Sequence, residues 1–222
     1  MVPLHSETGM KLIVMLRSRA NPNEVVEEKF ARFVNGVRGK DGPWAMQAKA
    51  EPKLGIMLEF LSSTKLNKWF GRGFDCRITY LNRRQELPDE GSSDDHCVIE
   101  FQAEPPFETD RLIATLALYA RSFEAYLGFV SNEEFFLDGP VVDFRKKLQL
   151  VHPVNYWHKT FCQDAFGLIP AQVAAAINSE LSHVEHTTSD IVFVSESGFE
   201  SLGTAKKNTR RINQAIRRQK KQ

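Results

Sequence analysis

At 222 residues the chain is one large domain or two small ones, and with 42% hydrophobic and 26% charged residues it can bury a sizeable core. Its formal net charge of +1 hides an uneven division: residues 204–222 hold eight basic residues and no acid, leaving 21 Lys and Arg against 28 Asp and Glu in residues 1–203. An acidic body disfavours nucleic acid and favours a basic protein surface as partner. Three cysteines, Cys76, Cys97 and Cys162, make no disulfide framework and suit a reducing compartment. No apolar run reaches the length of a membrane span, and no signal-peptide pattern opens the chain, so a cytoplasmic protein with no membrane partner is expected.

Lys11 to Arg17 (KLIVMLR) reads as a buried strand. Asn21-Pro22 then opens a helix whose apolar positions are Val25, Val26, Phe30, Phe33, Val34 and Val37, with Gly39 as its stop. Gly55 to Leu61 reads as a strand, Ser62 to Phe70 as a short helix with Leu66, Trp69 and Phe70 on one side, and Phe74 to Leu81 as a strand. Pro88 to Asp95 (PDEGSSDD) reads as an exposed acidic loop, followed by a strand at Cys97 to Gln102.

Phe107 to Leu127 carries the clearest helical stripe, Leu112, Ile113, Leu116, Ala120, Phe123 and Leu127, ended by Gly128. Asp138-Gly139-Pro140 between two apolar runs predicts a hairpin. Asn155 is expected to cap a helix to Phe166, stopped by Gly167. Pro170 begins another through Ile177, and Asp190 to Ser195 is a last strand. The order predicts an α+β fold: a mixed or antiparallel sheet packed by amphipathic helices, in a single domain over residues 1–203. A division near residue 105 is the alternative. Residues 204–222 form a basic tail, disordered or a short helix.

No pattern of residues carries a strong catalytic or cofactor signature. Gly71-Arg72-Gly73 lacks the third glycine of a dinucleotide fingerprint. His158 and Cys162, four apart on a predicted helix, share a face and supply half of a metal site or a thiol–base pair, with His183 and His186 as further ligands. That spacing matches no familiar zinc pattern, and Cys162 between Phe161 and Phe166 reads equally as a core residue, so no metal and no cofactor are expected. Adjacent carboxylates such as Asp94-Asp95 make poor acid–base dyads, since neighbours point to opposite faces of a strand and do not face each other on a helix.

As binding residues, Asp89, Glu90, Asp94 and Asp95 predict an acidic patch that steers a cationic partner, with Trp69 and Phe70 as aromatic anchors. Lys206, Lys207, Arg210, Arg211, Arg217 and Arg218 of the tail suit a nucleic acid or another anionic surface.

The stretch His152 to Ile177 (HPVNYWHKTFCQDAFGLIPAQVAAAI) has a Pro-Val-Asn entry, an aromatic segment with an internal Cys, an Ala-Phe-Gly-Leu stop and an Ala-rich helix. With the later DIVFVSE it resembles the C-terminal part of some bacterial immunity proteins, over roughly residues 140–196. The resemblance implies a non-catalytic cytoplasmic protein that neutralises a cognate toxin by stoichiometric binding. It carries over no site residues, and the basic tail departs from it. Two other functions stay open: an enzyme using Cys162 with a histidine, and an anion-binding module acting through the tail.

Overall fold

The computed structural model describes residues 9–38, 52–70, 73–88, 90–103, 108–132, 144–181, 183–195 and 202–220. Within them runs one eight-stranded sheet, antiparallel at every pairing, in the order β2-β3-β4-β1-β5-β6-β8-β7. Its strands are β1 (Met10–Arg19), β2 (Leu61–Lys65), β3 (Phe74–Leu81), β4 (Asp94–Ala103), β5 (Leu127–Asn132), β6 (Val154–His158), β7 (His183–His186) and β8 (Asp190–Val194). The helices are α1 (Val26–Val37), α2 (Thr109–Ser122), α3 (Lys159–Phe161, continuing as a π turn over Cys162–Phe166), α4 (Pro170–Ile177) and α5 (Leu202–Gln219). The fold is α+β, as the order of elements predicts.

Two cores lie on opposite faces of this sheet, because side chains alternate along each strand. On the first face, Leu12, Val14 and Leu16 of β1, Cys76, Ile78 and Tyr80 of β3, and Cys97, Ile99 and Phe101 of β4 meet the apolar stripes of α1 and α2. On the second face, Trp157 of β6 and Ile191 and Phe193 of β8 meet Phe161, Phe166, Val173, Ile177, Ile212 and Ile216 from α3, α4 and α5. Among the described residues, helices therefore sandwich the β6–β8 half, whereas β2, β3 and β4 carry helices on the first face only.

Several elements differ from their sequence expectation. The helix expected from Phe107 to Leu127 ends at Ser122, because Glu124 turns the chain at φ +55° and the Ala125 amide closes onto Ala120 O. Leu127 and Gly128 belong to β5. The strand expected at Gly55 to Leu61 begins only at Leu61, and the helix expected at Ser62 to Phe70 shrinks to a 3₁₀ turn at Asn67–Trp69. Asn155 caps no helix: it lies in β6, where its side chain accepts the His152 amide and donates to His152 O. His158 caps α3 instead, its ring accepting the Thr160 amide at 3.3 Å. Strand β7 has no counterpart among the elements expected from the sequence. The Asp138-Gly139-Pro140 hairpin and Gly39 lie outside the described residues.

Of the two readings of the basic tail, the helix is the one that forms, and it is longer than expected: Leu202–Gln219, with Ile212 and Ile216 in the second core and Ala205 and Ala215 also buried. The Thr209 hydroxyl accepts the Val151 amide at 2.8 Å, tying the helix to the body.

Helices α1 and α2 touch closely at Gly36, where a Cβ would sit 2.2 Å from Ser122 Oγ and 2.7 Å from Ser122 Cβ. Alanine normally favours a helix over glycine by about 1 kcal/mol. Here the clash outweighs that gain. Gly36→Ala should lower the melting temperature, and adding Ser122→Gly should restore it; a melting temperature raised by Gly36→Ala alone would show that the helices part easily.

Candidate interaction surface

The second face of β2, β3 and β4 forms a shallow trough of mixed character, lined by Ser63, Asp75, Arg77, Thr79, His96 and Glu100 with Leu61 and Val98. Antiparallel register fixes their order. Lys65 lies directly opposite Arg77, and Asp75 directly opposite Glu100, while Ser63, Thr79 and His96 form the next row. Two cross-strand pairs therefore set like charge against like. Such pairs destabilise a sheet. Lys11 Nζ, 2.8 Å from Glu100, offsets part of the acidic pair. His96 ends its row beside Arg17; burial and then the Arg17 charge hold its pKa below the ordinary value, so it is neutral at pH 7.

Beside this trough, the segment before β2 exposes three large apolar side chains at alternate positions: Ile56 at 85%, Leu58 at 64% and Phe60 at 61%. Their neighbours Leu54 and Met57 pack against the first core. The segment is held by specific hydrogen bonds. The Leu58 amide donates to Leu61 O at 3.0 Å, and the Gly55 amide to Thr64 Oγ1 at 2.8 Å. The Asn82 side chain donates to the carbonyls of both Leu58 and Glu59, and Gln85 to that of Glu59. Gly55 is needed there, since a Cβ would lie 2.6 Å from Ser63 O. Three apolar side chains fixed outward on a hydrogen-bonded backbone are pre-ordered for contact, which spares a partner much of the cost of ordering them.

The residues expected to form an acidic patch do not come together. Asp89 lies outside the described residues. Glu90 is exposed and accepts the Ser92 hydroxyl. Asp94 and Asp95 are 3% and 0% exposed: they begin β4 instead of ending a loop, and strand alternation sends them to opposite faces. Asp95 accepts Arg83 at 2.5 and 2.8 Å, Lys29 at 2.9 Å and the Leu81 amide at 3.0 Å. Burial works to raise its carboxyl, but the Arg83 hydrogen bonds and the Lys29 charge outweigh it and hold the pKa below the ordinary value. Asp94 accepts Tyr126, Arg145 and Arg17, and there burial prevails and pushes the carboxyl up. Both carboxylates are consumed inside the protein. Phe70 is 6% exposed and stacks on Phe74, and Trp69 is half-buried against the first core, so neither is an exposed anchor.

The thiol–histidine arrangement does not form either. Cys162 is 0% exposed in the second core, and burial pushes its thiol up to about 12. A thiol so buried is protonated at neutral pH and packs as a small core residue. His158 engages Thr160, and His183 pairs with Glu185. Among the described residues no group of three or more His, Cys, Asp or Glu side chains is placed to hold a metal ion. No described helix is long and apolar enough to cross a membrane.

The chain matches no family model and no curated protein.

The apolar trio is hidden by its own pattern. Gly55 to Leu61 (GIMLEFL) reads as a buried strand because five of its seven residues are large and apolar. Its outward signals are Glu59, which breaks the run, and Pro52 just upstream.

Proposed function

We propose that this protein works by stoichiometric binding of another protein, as an immunity protein that neutralises a cognate bacterial toxin. The observation that carries the binding reading is the outward trio Ile56, Leu58 and Phe60, held on a hydrogen-bonded segment beside the trough. Large apolar side chains fixed in water mark interaction sites, and aromatic ones supply the anchors. The like-charged rows of the trough support the same reading: they cost the free protein stability, and a partner of matching pattern would relieve them. A partner that places a cation against Asp75 and Glu100, and an acid against Lys65 and Arg77, fits the trough. The toxin assignment rests on the resemblance of the His152 to Ile177 stretch, and the buried, protonated Cys162 removes the main support of a catalytic alternative.

The test is co-purification with any toxin domain found encoded beside the gene, followed by calorimetric titration. Phe60→Ala should weaken the complex about 30-fold, a loss of about 2 kcal/mol, and Leu58→Ser should act in the same direction. Failure to bind any such toxin would sink the assignment. Binding that ignores all three apolar positions would move the interface elsewhere.

A further inference from the structure

The exposed face of α5 is a second surface, of chemistry different from the apolar trio. Helical geometry splits its side chains cleanly. Ala205, Asn208, Thr209, Ile212, Ala215 and Ile216 face the body, and the opposite half carries two rows of cations: Lys206, Arg210 and Arg217 in one, Lys207, Arg211 and Arg218 in the other. Lys220 extends the face, and no acidic residue occurs in the helix. Arg211 is tied to Glu180 at 2.8 Å. Asn213, half-buried, and Gln214, exposed, interrupt the rows with amides.

We propose that this face binds the phosphate backbone of a nucleic acid. Its composition selects among anionic partners. A membrane surface is engaged by a helix that buries an apolar face among the lipids; the apolar face of α5 is already buried in the second core. An acidic protein interface needs aromatic or aliphatic anchors at its centre; between Lys206 and Lys220 the outward half of α5 offers Lys, Arg, Asn and Gln and no such anchor. Cations and amides alone are the set that contacts phosphates and sugars. With a rise of about 1.5 Å per residue, the row from Lys206 to Arg217 spans about 16 Å, long enough to follow several successive phosphates. The site is independent of Ile56, Leu58 and Phe60.

Fluorescence anisotropy of the full chain with a labelled duplex of about 20 base pairs, across a salt series, tests it. Binding should weaken linearly in log–log form. The triple substitution Lys206→Gln, Arg210→Gln, Arg217→Gln should reduce the slope by about 2.7, three phosphate contacts' worth. Lys68→Gln, an exposed change elsewhere, should leave it unaltered. Should the triple variant fail to fold by circular dichroism, Lys207→Gln with Arg218→Gln gives the same reading with a change of about 1.8. No duplex binding at low salt, an unchanged slope in the folded variants, or binding to phosphatidylserine vesicles but not to duplex would each overturn the proposal. Loss of this binding with toxin binding intact, or the reverse, separates the two surfaces.

Discussion

Lys29→Met should lower the unfolding free energy by about 3–5 kcal/mol, the cost of stripping one partner from a buried ion pair. Lys29 is 1% exposed on the core side of α1, and its ammonium lies 2.9 Å from Asp95 and 3.1 Å from Glu24. Arg83, 9% exposed by its side chain, bridges the same two carboxylates, and the more exposed Arg32 pairs with Glu24 from outside. With Lys29 gone, the fully buried Asp95 is left with Arg83, which it shares with Glu24. The double variant Lys29→Met with Asp95→Asn removes one charge of each sign; Glu24 keeps Arg83 and Arg32, and the Asn carbonyl still accepts the Leu81 amide. Its loss should be clearly smaller than the sum of the two single losses. Urea denaturation of the four proteins measures the coupling. Additive losses would mean that Lys29 stabilises through its aliphatic stem rather than its charge.

That cluster explains where reading the sequence succeeded and where it stopped. Alternation and helical spacing rest on local backbone geometry, so β1, β3, β8, α4 and the apolar face of α1 were legible from the residue order. What residue order lacked was the identity of the partners: Lys29, Arg83 and Arg145 lie 66, 12 and 51 positions from the carboxylates they meet. Polarity therefore suggested an exposed loop where long-range pairing buries Asp94 and Asp95 at the start of β4. Residues 155–158 failed differently. Asn155 is a good helix cap by type, but between β5 and β8 the segment V-N-Y-W-H completes the sheet, and tertiary pairing overrides the local preference. The α5 stripe was visible as Ile212, Ala215 and Ile216, yet the density of cations around it suggested a solvated tail. Charge density describes only the outward half of an amphipathic helix.

His152 should make the protein acid-labile well above the range of its carboxylates. Its ring is stacked on Phe129 at 3.6 Å between centroids, at the end of the segment that covers β5, and its Nδ1 meets Ser131 Oγ at 3.1 Å. Burial lowers its pKa to about 3. In the unfolded chain the same ring titrates near 6.5. Between those values the unfolded state binds a proton that the folded state refuses, so stability is full above about pH 6.5 and falls as the pH drops toward 3. At pH 4.5 the loss from this residue is roughly 2–3 kcal/mol. His96 and His158, both held below their ordinary values by burial first and then by neighbouring cations, act in the same direction. His152→Gln isolates the effect. It should be less stable than the parent at pH 7.5, because the ring stack is lost, but its stability should decline less between pH 7 and 4.5. Chemical denaturation at stepped pH gives both curves. Curves that run parallel would show that His152 takes up its proton in the folded state, which requires the 144–152 segment to lift from Phe129 and admit water to the second face of the sheet.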